Sequence, residues 1–192
     1  MDGERRTRRS DGARRAGVGM VLAGVIVATL AARGWASGAT VCVYPPEAVI
    51  LGTASASVTD VRVQEVENLY GYQLELHYDP AIVSAESIEL GPFISPDWVL
   101  DQDIDNTTGV IALAVSQRHA TPPRDGEGRL AQVRWRGQNP GTSALTLTDV
   151  KLAEPGGVQI PVDVESGDIE VVPADSILEL YMPLICARAV GR

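Results

Sequence analysis

Tyr72-Gln73-Leu74-Glu75-Leu76-His77-Tyr78-Asp79-Pro80 decides the fold. Apolar residues at 72, 74, 76 and 78 alternate with polar ones at 73, 75 and 77. A period of two is that of a strand with one face in an apolar interior and the other in water. Asp-Pro then stops the run, because proline has no N–H to give a ladder and Asp favours turns.

The same rhythm extends in both directions. Upstream, Thr40–Tyr44 reads as a strand stopped by Pro45-Pro46, and 54–66 as a second strand with Val61 and Val63 on one side. Asn68 to Gly71 reads as the turn into Tyr72–Tyr78. Downstream, strands are predicted at Ser87–Leu90, Trp98–Asp103, Val110–Ser116, Leu130–Arg136, Ser143–Leu152 and Asp168–Val172. Gly, Pro, Asn and Asp clusters separate them. In Leu130–Arg136, Ala131, Val133 and Trp135 are expected inside, with Gln132, Arg134 and Arg136 in water. Nine short strands with turn signals between them predict an all-β domain of two stacked sheets.

The ends are different. Residues 1–15 carry six arginines, an uncharged apolar run spans 16–32, and small residues surround Trp35-Ala36-Ser37-Gly38-Ala39. These are the three parts of a secretory signal peptide, with cleavage after Ala36 or Ala39. The rival reading is an uncleaved anchor, since about 17 apolar residues are the lower limit for a membrane span. Export predicts a secreted, extracellular or surface-attached domain over 40–172. The remainder, 173–192, is a tail whose Ile177–Cys186 stretch is apolar, either an added edge strand or a surface signal.

The whole chain has a formal net charge of −9. Residues 1–39 hold seven basic and three acidic side chains, leaving 9 basic and 22 acidic beyond them. So acidic a domain is poorly suited to nucleic acid or to anionic membrane surfaces, which need basic patches. The only cysteines, Cys42 and Cys186, stand near opposite ends of the exported part. They either form a disulfide outside the cytoplasm or serve as a buried thiol and an unrelated tail residue.

Reactive constellations are missing. The two histidines are His77 and His119, and no zinc-protease, nucleophile-elbow, phosphate-loop or Cys-x-x-Cys pattern occurs. Asp101-x-Asp103-x-Asp105-Asn106 begins like a calcium loop, but Asn106 and Ala112 stand where an EF-hand needs Gly and Glu. Asn106-Thr107-Thr108 fits the glycosylation triplet. The reading is of a non-enzyme without metal or cofactor.

Several segments, in order, resemble the cohesin domain. They are Val66–Pro80, with its Tyr78-Asp79-Pro80 step; Gly91-Pro92-Phe93; and Gly126-x-Gly128-x-Leu130-Ala131-x-Val133-x-Trp135. Gly141-x-Ser143-x-Leu145-x-Leu147 and Gly167-Asp168-Ile169-Glu170-Val171 complete the series. The resemblance implies a nine-stranded jelly-roll sandwich that binds the dockerin module of a secreted protein, such as a polysaccharide-degrading enzyme. It also implies a binding face on the third, fifth, sixth and eighth strands of the nine. By alternation that face carries Gly71, Gln73, Glu75 and His77 on the third strand, and Val110, Ala112, Ala114 and Ser116 on the sixth. Many cohesins place Asn and Asp early on the third strand, where this chain has Gly71 and Gln73.

Two other classes fit the same architecture. A carbohydrate-binding module would bind polysaccharide through exposed coplanar aromatics, for which Tyr44, Tyr70, Phe93 and Trp98 are the candidates. A structural or adhesive surface domain would need no dockerin.

Overall fold

The computed structural model describes residues 38–53 and 55–174. The expected signal segment up to Ser37, and the tail from Asp175 with Cys186, lie outside the described residues. Twelve strands are present: β1 (Ala39–Tyr44), β2 (Glu47–Leu51), β3 (Ala56–Leu69), β4 (Gly71–His77), β5 (Val83–Leu90), β6 (Trp98–Asp105), β7 (Val110–Ser116), β8 (Arg124–Gly137), β9 (Gly141–Ala153), β10 (Gln159–Ile160), β11 (Val162–Glu165) and β12 (Gly167–Val172).

They form two sheets. One runs β11-β1-β3-β8-β5, the other β2-β12-β9-β4-β7-β6, with β10 paired to β9. The pairs β1–β11 and β2–β12 are parallel, and the rest antiparallel. The apolar halves of the alternating strands meet between the sheets, as expected of a jelly-roll sandwich. Tyr72, Leu74, Leu76 and Tyr78 are buried against Val61, Val63, Ala131, Val133 and Trp135 in one continuous core. Trp135 is fully buried, and its indole N–H donates to Thr59 Oγ1 at 2.9 Å. Tyr78 meets it edge-on, with ring centroids 5.0 Å apart.

The three strands beyond the nine expected are β2, β10 and β11. β2 follows a double proline and was hidden by it; β10 and β11 are only two and four residues long. Of the expected turn at 68–71 only Tyr70 stands outside the strands, between β3 and β4. β3 continues to Leu69 and absorbs its turn-prone residues as irregularities opposite β8. Glu65 and Asn68 take φ of 53° and 56° there, and the Asn68 N–H donates to Asp125 Oδ1 at 2.7 Å. Asn tolerates the left-handed region better than most residues, so its signal was a bulge and not a chain reversal.

The Tyr-Asp-Pro step locks one end of the sandwich. The Asp79 carbonyl accepts from the Ile82 and Val83 N–H groups, each at 3.1 Å, turning the chain from β4 into β5. Asn106, in the β6–β7 turn, then ties the two sheets together. Its Oδ1 accepts from the Tyr78 hydroxyl at 2.7 Å and the Ala85 N–H at 2.9 Å, while Nδ2 donates to the Ala85 carbonyl at 3.0 Å. β5 is an edge strand, and this carboxamide stands where a neighbouring strand's peptide would. The Asn of the glycosylation triplet therefore has its amide nitrogen engaged inside the fold. Gly109 closes the same turn at φ 74°, where a Cβ would lie 2.2 Å from the Tyr78 carbonyl oxygen.

Candidate docking face

The outward side of the seven-stranded sheet is built by register. β4 pairs with β7 so that Gln73 faces Ala114, Glu75 faces Ala112 and His77 faces Val110. Residues directly opposite in an antiparallel pair point to the same side. The inward neighbours Leu74, Leu76, Ile111, Leu113 and Val115 are buried, so these pairs stand outward. All seven candidates (Gln73, Glu75, His77, Val110, Ala112, Ala114 and Ser116) are thus brought together on one face. Gly71, opposite Ser116 on β7 and Ala153 on β9, is buried.

Both flanks of this strip are polar. On β9, Lys151, Thr148 and Thr146 oppose Gln73, Glu75 and His77. A bulge leaves Asp149 at φ 47°, where its carboxylate takes the Lys151 ammonium at 2.6 Å and the Gln73 amide. Lys151 holds the Asp149 carboxyl below its ordinary range, with a lesser pull from Gln73. His77 and Glu75, two apart on β4, meet at 3.1 Å. On β6, Asp101, Asp103 and Asp105 oppose Ala114, Ala112 and Val110.

Alternate residues on a strand are about 6.6 Å apart, so the three aspartates form a row and not a cage. Among the described residues no group of three or more His, Cys, Asp or Glu side chains is placed to hold a metal. Asp105 has another task. Its carboxylate accepts from the Thr108 hydroxyl at 2.8 Å and from the Thr107 and Thr108 N–H groups, which together hold its pKa down.

The face is strongly one-signed. Beyond the β6 row it carries Glu75, Asp149, Asp168, Glu170 and Glu47, while Lys151 is the fixed cation among the described outward residues of these strands. The guanidinium groups gather on the other sheet. There Arg62 binds Asp60 at 2.8 Å, and Arg134 and Arg136 both bind Glu86, whose carboxyl they hold below its ordinary range.

The other candidates are dispersed. Tyr44 is on the five-stranded sheet with the Arg62 guanidinium 4.2 Å over its ring, Trp98 begins β6, and Phe93 packs on the core. They make no shared platform for a sugar. Cys42 is buried, and its thiol is pushed up by burial first and by Glu165 second. Its suggested partner, Cys186, lies outside the described residues. None of the described helices is long and apolar enough to cross a membrane.

The profile of the cohesin domain matches residues 55–171. The chain belongs to the cohesin family. No curated protein matches it. Among solved structures, a non-cellulosomal cohesin from the archaeon Archaeoglobus fulgidus is similar, with TM-score 0.59, 17% identity, and coverage of 75% of this chain and 98% of that one. The third cohesin ScaC of Acetivibrio cellulolyticus, solved with the ScaB dockerin, gives TM-score 0.61, 17% identity and coverages of 70% and 99%. A type I cohesin–dockerin complex of Clostridium thermocellum, Coh-OlpC-Doc435, gives 0.62, 15%, 71% and 94%. At these identities the likeness establishes a cohesin fold.

The β6 side of the face was implied by the resemblance, as the fifth of the nine expected strands, and not by periodicity. Its exposed residues follow no apolar alternation, because an edge strand buries little.

Proposed function

We propose that this cohesin is a non-catalytic docking module. It binds the dockerin of another secreted protein on the outward face of β4 and β7. The observation that carries the reading is the strip Val110, Ala112 and Ala114 flanked by polar rows, on a family member whose solved relatives include dockerin complexes. Small side chains leave the sheet flat and easily desolvated, and the polar residues on either side supply hydrogen bonds at the rim. The charged-then-apolar residues 1–39 support export, which places the encounter outside the cytoplasm.

The test is calorimetry of the domain with dockerins from the same organism, in calcium. Ala114→Arg sets a long cation in the middle of the strip and should weaken binding at least about a hundredfold, as burying an unpaired charge does. Val58→Arg, on the opposite sheet, should leave affinity unchanged. Equal affinity for wild type and Ala114→Arg would rule out this face. No binding to any dockerin would rule out the function.

A further inference from the structure

The outward side of the five-stranded sheet holds a cleft of about 330 Å³ that docking on β4 and β7 leaves unused. Asp60, Arg62 and Gln64 of β3 line it together with Glu127 and Arg129 of β8, and Pro92 borders it. Its volume is at the lower end of the range for small-ligand sites, about 300–1,000 Å³.

Register explains why two guanidinium groups meet there. Val61 opposes Ala131, but the next opposed pair is Arg62 and Arg129, so Leu130 is the extra residue of a β-bulge. Leu130 and Ala131 are both buried, and Arg129 comes to stand directly across from Arg62. Like charges directly opposite destabilise a strand pair. Asp60 is the anion that relieves these two, yet it is largely committed elsewhere. Its Oδ2 accepts from Arg62 Nε at 3.2 Å and Nη2 at 2.8 Å, and its Oδ1 accepts from Gln132 Nε2 at 2.8 Å. Arg129 Nη1 is left 3.8 Å from Oδ1, beyond hydrogen-bond reach. Arg129 Nε is shielded from solvent and has no acceptor among the described residues. A buried donor without an acceptor costs the fold its full desolvation, so this guanidinium gains by turning to an acceptor in the cleft.

We propose that the cleft is a second binding site, and that its ligand is a sugar carrying a single carboxylate, a uronic-acid unit. The carboxylate draws the Arg129 guanidinium outward, so that Nε and one terminal amino group donate to its two oxygens in the strong two-point geometry of this pair. Gln64 Nε2, whose contact within the fold is the Cys42 sulfur at 3.8 Å, donates to a hydroxyl. Glu127, exposed on the rim, accepts from another. The Pro92 ring gives the sugar an apolar surface. Asp60 and Glu127 repel a second negative charge on the ligand, which limits it to one. The cleft is on the sheet opposite the docking face, so one domain holds a dockerin and an acidic glycan at the same time. The proposal does not depend on the dockerin reading.

The experiment is an NMR titration of the isotope-labelled wild-type domain with galacturonate, following the Arg129 Nε–H signal. Galacturonate should shift that signal saturably, and galactose, which lacks the carboxylate, should not. Acetate, which lacks the hydroxyls, should bind about tenfold more weakly. Arg129→Lys keeps the charge and loses the fork, and should weaken galacturonate binding at least about tenfold. Ala114→Arg should leave it unchanged. If Arg129→Lys lowers the melting temperature, the wild-type titration alone decides. No saturable shift with galacturonate overturns the proposal. An equal affinity for acetate overturns it too, since the site then takes any small anion. So does a Glu127→Gln variant whose Arg129 signal, without ligand, moves as far as galacturonate moves the wild type's, because Glu127 is then the partner.

Discussion

Asn106→Ala should destabilise this domain far more than an exposed turn substitution normally does. The wild-type carboxamide makes three hydrogen bonds, to the Tyr78 hydroxyl and to both backbone groups of Ala85. Tyr78 and Ala85 are 6% and 4% exposed, so their polar groups have poor access to replacement water. At about 1 kcal/mol net per bond, truncation costs about 3 kcal/mol. For a domain of this size that is a fall of about 10 °C in melting temperature. Ordinary surface substitutions stay within about 0.5 kcal/mol. Urea denaturation followed by Trp fluorescence is the assay, because Trp135 packs against the Tyr78 ring and reports its release. Asn106→Asp tests the donor. It keeps both acceptor contacts but sets a carboxylate oxygen against the Ala85 carbonyl, so it should be no better than Ala. A cost below about 0.5 kcal/mol for Asn106→Ala would refute the claim that this side chain substitutes for a missing strand neighbour.

Other outcomes follow from single contacts. Thr59→Val removes the acceptor of the buried Trp135 N–H without opening a cavity, and should cost about 2 kcal/mol by chemical denaturation. Gly109→Ala forces a Cβ to within 2.2 Å of a carbonyl oxygen at positive φ, and should lower the melting temperature by at least about 5 °C. Thr108→Val should raise the Asp105 pKa toward its ordinary value in an NMR titration. The depressed carboxyls of Asp105 and Glu86 favour the folded state above their unfolded pKa values. That contribution should fade as pH falls through their lower folded values, visible as an acid-side drop in melting temperature. EDTA should leave this domain's own melting temperature unchanged, because among the described residues no cluster of His, Cys, Asp or Glu is placed to hold a metal.

Much of this architecture was legible because burial writes itself in alternation. Tyr72 to Tyr78 and Leu130 to Arg136 gave both their strand type and their inward residues, and cross-strand register then placed Gln73, Glu75 and His77 beside Ala114, Ala112 and Val110. Where burial is weak the pattern fades. β6 is an edge strand with mostly exposed side chains, so neither its bulge at Leu100 nor its membership of the face had a periodic signal. β2 follows a double proline that reads as a loop. Asn68 shows the opposite error, since a residue that favours turns also serves a bulge, and only the Asp125 partner on β8 distinguishes the two. Asn106 read as a surface triplet because the atoms it satisfies, at Tyr78 and Ala85, are distant in sequence.

Chemical-shift mapping of the isotope-labelled domain against an unlabelled cognate dockerin addresses the docking face itself. The account predicts that the largest perturbations fall on Gln73, Glu75, Ala112 and Ala114. Perturbations centred instead on Tyr44, Arg62 and Arg134, with β4 and β7 silent, would contradict it.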